Sequence, residues 1–231
     1  MEFALKCLLA LFAVTSFAAE SGSTDVLVFG GTGRLGAPIV RLLVDAGYPV
    51  TVFARPASKR DRLAGLDITY LTGDLMDANR VAEVIDRKSF AYIIDASARG
   101  ANRDLFYATA MRNILGAIDA SPVRQFILHG SVGAGENMKQ FPNVGFERMR
   151  DVMMAKGRAE TLLRSSGMPY TIIRNGMVKP DGTPATGTAR LTDDESVLGT
   201  TTRLDLAALT MHCLDNAECM NRTFHAVDDS W

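Results

Sequence analysis

Val26-Leu27-Val28-Phe29-Gly30-Gly31-Thr32-Gly33-Arg34-Leu35-Gly36 is the stretch whose reading decides the fold of this chain. Four consecutive apolar residues predict a buried strand, and the run Ala37-Pro38-Ile39-Val40-Arg41-Leu42-Leu43-Val44 predicts an apolar helix after it. A strand that enters a helix through a glycine-rich turn aims several backbone N–H groups at one point. A pyrophosphate can sit there, at the positive end of the helix dipole. Gly30 permits the turn, Gly33 lets a cofactor reach the backbone, and Gly36 lets helix and strand pack closely. The spacing is G-x-x-G-x-x-G rather than G-x-G-x-x-G. The strand before it and the helix after it therefore carry the argument; without them the stretch is an ordinary glycine-rich turn.

Outward from this stretch the chain alternates. Apolar runs predict further strands at 49–54, 68–71, 91–95, 125–129, 170–174 and 223–226, with helices at 58–63, 76–86, 105–120, 146–164 and 203–214. Parallel strands need crossovers, so the alternation predicts a parallel sheet with helices on both faces. Right-handed crossovers make it a doubly wound, Rossmann-type α/β sheet whose ligands bind at the carboxyl ends of the strands. No Pro/Gly/Ser-rich linker divides residues 24–231, which read as one domain. Residues 176–201 are long for a connection and are expected to form a small C-terminal cap on the substrate side.

The 231 residues are 47% hydrophobic and 22% charged, enough for one sizeable core. With 25 basic and 26 acidic residues the net charge is -1, which gives no reason to expect a nucleic-acid partner. Residues 1–18 read as a secretory signal: Lys6, an apolar run from Cys7 to Val14, and Ser16-Phe17-Ala18 as a small-x-small cleavage site. The run is too short for a stable membrane span. On this reading the protein is exported, periplasmic or secreted; an uncleaved interfacial anchor and a start codon set too far upstream are the alternatives, and without the signal the protein is cytoplasmic. Cleavage leaves Cys213 and Cys219, a pair that can form a disulfide in an exported protein. Cys213 falls on an apolar helix face, which favours two unpaired cysteines instead. Asn221-Arg222-Thr223 matches a glycosylation acceptor, a short pattern that matters only in a eukaryotic secretory route.

Gly30-Gly31-Thr32-Gly33-Arg34-Leu35-Gly36, Gly73-Asp74-Leu75, His129-Gly130-Ser131-Val132-Gly133, Lys156-Gly157-Arg158-Ala159-Glu160 and Pro169-Tyr170-Thr171-Ile172-Ile173-Arg174-Asn175-Gly176 together resemble the atypical short-chain dehydrogenase/reductases. The nearest subgroup is the NAD(P)H-binding, NmrA-like and biliverdin/flavin-reductase-like proteins, and the resemblance covers nearly all of residues 24–227. It implies that Gly30, Thr32, Gly33, Arg34 and Leu35 surround the pyrophosphate and ribose, that Asp74 and Leu75 meet the adenine, and that Ala96 and Ser97 line the path to the nicotinamide. Asp74 is alternatively a helix N-cap or turn residue.

Arg55 ends the second strand, where an NAD-preferring fold carries an acid for the ribose hydroxyls; Lys59 and Arg60 follow. A carboxylate repels a 2′-phosphate, whereas a guanidinium binds it in a fork. With Arg34 as a second cation, NADP(H) is expected over NAD(H), unless these arginines are simply solvated loop charges. Long-studied members of the superfamily set a tyrosine four residues before a lysine, on one helix face, as the proton donor. Here Lys156 is present, but Val152 stands four residues before it, and no tyrosine lies on that helix. Ser131 stands where the carbonyl-orienting hydroxyl belongs. Ser131 and Lys156 are therefore the catalytic candidates, Lys156 as a ribose ligand or as a surface partner of Glu160 at i+4. His129 is either a proton source or a structural residue. Met149, Val152, Met153 and Met154 form core or a soft acceptor lining.

The function expected is a reductase passing hydride to a small or planar acceptor, such as a flavin, quinone or carbonyl compound, without a Tyr–Lys pair. The alternative is a non-catalytic NADP(H)-binding redox sensor or regulatory interaction protein. An epimerase or lyase that reuses bound NAD suffers most from the missing tyrosine. The partner is a small-molecule acceptor, no metal is expected, and the chain is read as a monomer or homodimer. Export sits awkwardly with NADPH, which is a cytosolic reductant.

Overall fold

A computed structural model describes residues 23–99, 103–118 and 123–231; the signal-peptide reading of residues 1–18 lies outside them. Strand β1 (Val26–Phe29) is buried on both faces, which is why it reads as a continuous apolar run. Val26 and Val28 pack with Ile39, Val40 and Leu43 of helix α1 (Gly36–Asp45). Leu27 and Phe29 point to the other layer, with Val81 and Ile85 of α2 (Ala78–Asp86) and Met111 and Ile114 of α3 (Arg103–Ile118). Between these helices run β2 (Val50–Ala54), β3 (Thr69–Thr72) and β4 (Tyr92–Asp95). The chain continues through β5 (Gln125–Ser131), α4 (Arg150–Ser165) and β6 (Tyr170–Asn175). It ends with β7 (Met177–Val178), β8 (Arg190–Thr192), β9 (Thr200–Thr201), α5 (Arg203–Cys213) and β10 (Arg222–Val227).

The main sheet has the order β3-β2-β1-β4-β5-β6-β10-β8. Its first seven strands pair in parallel, and β8 joins β10 antiparallel at the edge. This is the expected doubly wound sheet. The order reverses between β1 and β4, and a ligand crevice opens at that point, at the carboxyl ends of the strands.

Element boundaries shift for local reasons. The helix expected at 58–63 is a single 3-10 turn, Asp61–Leu63. That expected at 146–164 opens as a 3-10 turn, Phe146–Met149, entered from Gly145 at φ 73°, before α4 begins. Helix α2 starts at Ala78 because the Asp77 side chain accepts from Arg80 N. The long connection 176–201 is less irregular than its sequence suggests: β7 pairs with β9, and β8 extends the main sheet.

This cap is tied down by α5. Thr202 caps the helix, accepting from Asp205 N at 3.0 Å, and Asp205 Oδ1 accepts from Gly187 N at 3.0 Å. A second anchor is ionic. Buried Glu160 accepts from Arg174 Nη2 at 2.8 Å, and the same guanidinium reaches Glu195 of the cap at 2.8 Å. Two carboxylates and two elements thus share one buried arginine, a pairing that offsets the cost of desolvating the charges.

The cysteines correct the sequence reading. Cys213 and Cys219 are joined, with Cα atoms 5.4 Å apart, and both are buried. Cys213 does fall on the apolar face of its helix, but α5 ends there and the chain folds back at once through the 3-10 turn Ala217–Cys219. Buried Gln125 fixes that return: its Nε2 donates to Cys213 O at 2.9 Å and its Oε1 accepts from Asp215 N at 2.9 Å. The bond closes a short loop of sequence separation 6, so its expected contribution is about 2 kcal/mol. Urea titrations with and without reductant should differ by that amount in unfolding free energy, and Cys219→Ala should abolish the difference. An unfolding midpoint insensitive to reductant in the unsubstituted protein would count against the bond.

Candidate functional site

The crevice is a cavity of about 470 Å³. Its floor is the glycine turn. Gly33 N donates to Gly30 O at 2.9 Å and Ala37 N to Gly33 O at 3.0 Å, which winds the turn into the first turn of α1. Gly30 has φ 73°, and a Cβ there would come within 2.6 Å of the Ala96 backbone. A Cβ at Gly36 would lie 2.2 Å from Gly30 O. No side chain fits at either position. At Gly33 an added Cβ would meet only Gly30 O, at 3.0 Å. The turn is closed by backbone on two sides and open toward the cavity at Gly33, a cradle of the size and chemistry that a pyrophosphate requires.

Every sequence-predicted site residue lines this one cavity: Gly30, Thr32, Gly33, Arg34 and Leu35 on its floor, Arg55, Asp74 and Leu75 toward β2 and β3, and Ala96, Ser97, Ser131 and Lys156 toward β4 and β5. Arg34 is not a lone cation. Asp181 of the cap lies 3.7 Å from it and 3.4 Å from Arg62. Asp74 is both a turn residue and a cavity residue: Oδ1 accepts from Met76 N at 3.0 Å, while Oδ2 accepts from Arg99 at 3.0 Å. The N-cap of α2 is Asp77, three residues on.

At the far end Lys156 Nζ donates to Ser131 Oγ at 2.8 Å. The ammonium also lies 5.0 Å from the ring centroid of Tyr107, on α3. The surface pair with Glu160 gives way to this arrangement, because Glu160 turns inward to Arg174. Of the methionine cluster, Met153 is core and Met149 is exposed.

His129 also faces the cavity, but it is buried. Its Nε2 is 2.9 Å from Thr210 Oγ1 and its Nδ1 is 3.3 Å from the Asn175 carboxamide. Burial pulls its pKa down to about 4, with the Lys156 charge acting in the same direction, so the ring is neutral at pH 7. The reading of His129 as a structural residue is the one these contacts favour. Asp95, at the end of β4, is buried too, and burial raises its pKa. It accepts from Ser97 N at 2.8 Å, which bends the β4 exit onto Gly30.

Sequence reasoning missed Ser58, Arg99 and Asn175, which line the cavity, and Tyr107, which faces Lys156. Ser58 lies three residues after Arg55, and Asn175 directly follows a predicted strand; both positions were legible as strand-end residues. The others meet the site only through tertiary packing. Among the described residues no helix is long and apolar enough to cross a membrane.

Residues 30–217 match the model of a family described as NAD(P)H-binding. Among curated proteins, the photosystem II assembly factor Ycf39 of Cyanophora paradoxa is 28% identical over 219 residues, covering 90% of this chain and 64% of its own length. The chain thus spans a little under two thirds of that relative. Among solved structures, ChuY, described as an anaerobillin reductase from Escherichia coli O157:H7, has a TM-score of 0.79 at 24% identity, over 90% of this chain and 98% of its own. A short-chain dehydrogenase/reductase from Veillonella parvula, in complex with NADP, has a TM-score of 0.71 at 14% identity, over 89% and 95%. At these identities the structural likeness is one of fold.

The buried imidazole sets a pH test of the site. A folded pKa of about 4, below the ordinary imidazole value of 6.5, means that the unfolded chain binds the extra proton first. The stabilisation is fully present above pH 6.5 and is lost as pH falls toward 4, by about 3 kcal/mol in all. The unfolding free energy of His129→Gln should therefore fall less steeply over this window than that of the unsubstituted protein. Parallel curves would show that His129 titrates normally.

Proposed function

The chain belongs to the NAD(P)H-binding family, an oxidoreductase family of Rossmann-type proteins, and from that premise we propose that it is an NADP(H)-dependent reductase whose acceptor is a small or planar molecule such as a flavin, quinone or carbonyl compound. The observation that carries this reading is the continuity of one cavity from Arg55 and Ser58, past the glycine turn, to the Ser131–Lys156 pair. A dinucleotide has two halves on either side of a pyrophosphate, and the cavity has two arms on either side of the turn.

In this reading Arg55 forks the 2′-phosphate, with Ser58 beside it. Arg34 adds positive potential once Asp181 yields. Lys156, held by the Ser131 hydroxyl and the Tyr107 ring, donates to the hydroxyls of the nicotinamide ribose. The cofactor, when bound, supplies a hydride. Ser131 orients the acceptor. Val152 stands where the family's proton donor is expected, so the proton comes from water. Residues 24–231 act as one unit.

Val152 also favours a second reading, in which the chain binds NADP(H) and reports on it without turnover. Following NADPH absorbance at 340 nm with a panel of flavins, quinones and carbonyl compounds separates the two. Oxidation dependent on any of them supports the reductase; tight binding with no turnover on all of them supports the sensor. For the cofactor preference, Arg55→Asp should weaken NADPH about 10- to 100-fold, the range of a lost charged hydrogen bond, and leave NADH within about threefold. Equal loss for both would show that Arg55 does not read the 2′-phosphate.

A further inference from the structure

One turn of the cap is held in place by charge. Lys179 is fixed at one end of it, donating its N–H to Thr201 O at 2.9 Å while its carbonyl accepts from Arg203 Nη1 at 2.6 Å. Thr186 is fixed at the other end, its N–H on Asp205 Oδ2 at 3.1 Å. Residues 180–185 span the two anchors. They close on themselves, Thr183 N donating to Pro180 O at 3.3 Å with Gly182 at φ 85°, and all but Thr183 are exposed. None belongs to either apolar core. Among the described residues, every hydrogen bond and ion pair that leaves this span is made by Asp181. Its Oδ2 lies 3.4 Å from Arg62 Nη2 and 3.7 Å from Arg34 Nε.

Those two arginines flank the arm of the cavity that holds Arg55 and Ser58. Arg34 lines the cavity, and Arg62 sits in the 3-10 turn just past Ser58. We propose that Asp181 is a latch that the cofactor opens: the 2′-phosphate of a bound dinucleotide takes Arg34 and Arg62 from Asp181 and releases residues 180–185, whereas a dinucleotide without that phosphate leaves them in place. The contest for the two guanidinium groups is uneven. A phosphate monoester brings about two charges and three acceptor oxygens, against one charge on the carboxylate, and the two anions repel each other. The latch is also weak. Asp181 is 45% exposed and Arg34 63%, and ion pairs so exposed shift an equilibrium by no more than about fivefold. This inference rests on the NADP(H) reading and gives it an output: the state of an exposed turn differs according to which dinucleotide fills the crevice.

The test uses ADP-ribose and 2′-phospho-ADP-ribose, which differ only in that phosphate, with the full chain. Backbone 15N relaxation at Gly182 and Thr183 reads the turn, and equilibrium titration reads affinity. In the unsubstituted protein saturating ADP-ribose should leave both amides at an order parameter of about 0.85, and 2′-phospho-ADP-ribose should lower them below about 0.6. Asp181→Asn should show the lower value with no nucleotide bound. It should also bind 2′-phospho-ADP-ribose about two- to fivefold more tightly, the range of an exposed ion pair, with ADP-ribose unchanged within about 1.5-fold. Asp193→Asn removes an equal charge from the cap, at its pair with Arg222, and should change neither quantity. Equal order with the two nucleotides in the unsubstituted protein, or equal affinities in Asp181→Asn and Asp193→Asn, overturns the proposal. Should Asp181→Asn fail to fold, Arg62→Gln removes the nearer partner instead, and an order parameter it leaves unchanged overturns the latch. Failure of the unsubstituted protein to bind either nucleotide would sink the NADP(H) reading beneath it; a Gly182 that stays ordered in nucleotide-free Asp181→Asn sinks the latch whatever binds.

Discussion

The contact on which the rest of this structure depends is backbone against backbone at the glycine turn. Gly30 lies so close to Ala96, and Gly36 so close to Gly30, that not even a methyl group fits at either position. This approach lets α1 start directly beneath β1 and lets the exit of β4 lean over the turn. The crevice exists because those two exits diverge from one point while β2 and β5 carry their own loops away to either side. A bulkier turn would separate β1 from α1, and the floor of the cavity would open.

Much of this was legible in the sequence because it is local. The strand, turn and helix of residues 26–44 are contiguous, and their apolar periodicity and glycine spacing express steric rules that act over a few residues. The strand-end residues followed from them, since a doubly wound sheet brings its carboxyl ends together regardless of detail. Arg55, Asp74, Ala96, Ser97 and Ser131 reach one cavity for that reason. What was not legible depends on pairs far apart in the chain. The partnership of Arg34 with Asp181 joins the glycine turn to the cap, and that of Lys156 with Tyr107 joins α4 to α3. The disulfide was misread for a related reason. Helical periodicity locates Cys213 on a buried face, but only the fold-back held by Gln125 shows that Cys219 arrives at the same face.

The cap follows a similar logic at higher cost. Residues 176–201 have little apolar periodicity, and few of their side chains belong to the main core. They are held instead by carboxylates. Asp205 binds the Gly187 amide, Asp228 accepts from Thr188 at 2.9 Å, and Glu195 meets Arg174. Burial alone would raise the pKa of Asp228, but bonds from Thr186, Ser230 and Thr188 hold it at about 2. Such polar anchors specify one position for a loop without needing a hydrophobic face, and they leave the cap's outer surface free to vary.

The proton remains the chemical problem of the site, and the electrostatics narrow it. At the Ser131 end the titratable side chains that line the cavity among the described residues, arginines aside, are His129 and Lys156, with the Tyr107 ring beside the Lys156 ammonium. His129 is neutral, buried, and has both ring nitrogens engaged with Thr210 and Asn175. Asp95, nearby, is committed to the Ser97 amide. Lys156 is held by a hydroxyl and a ring. A site built this way is strong in positioning, and in the proposed reductase the proton comes from solvent. On the proposed reductase reading, the acceptor it suits is one whose reduced form is stabilised by delocalisation and can take its proton from solvent.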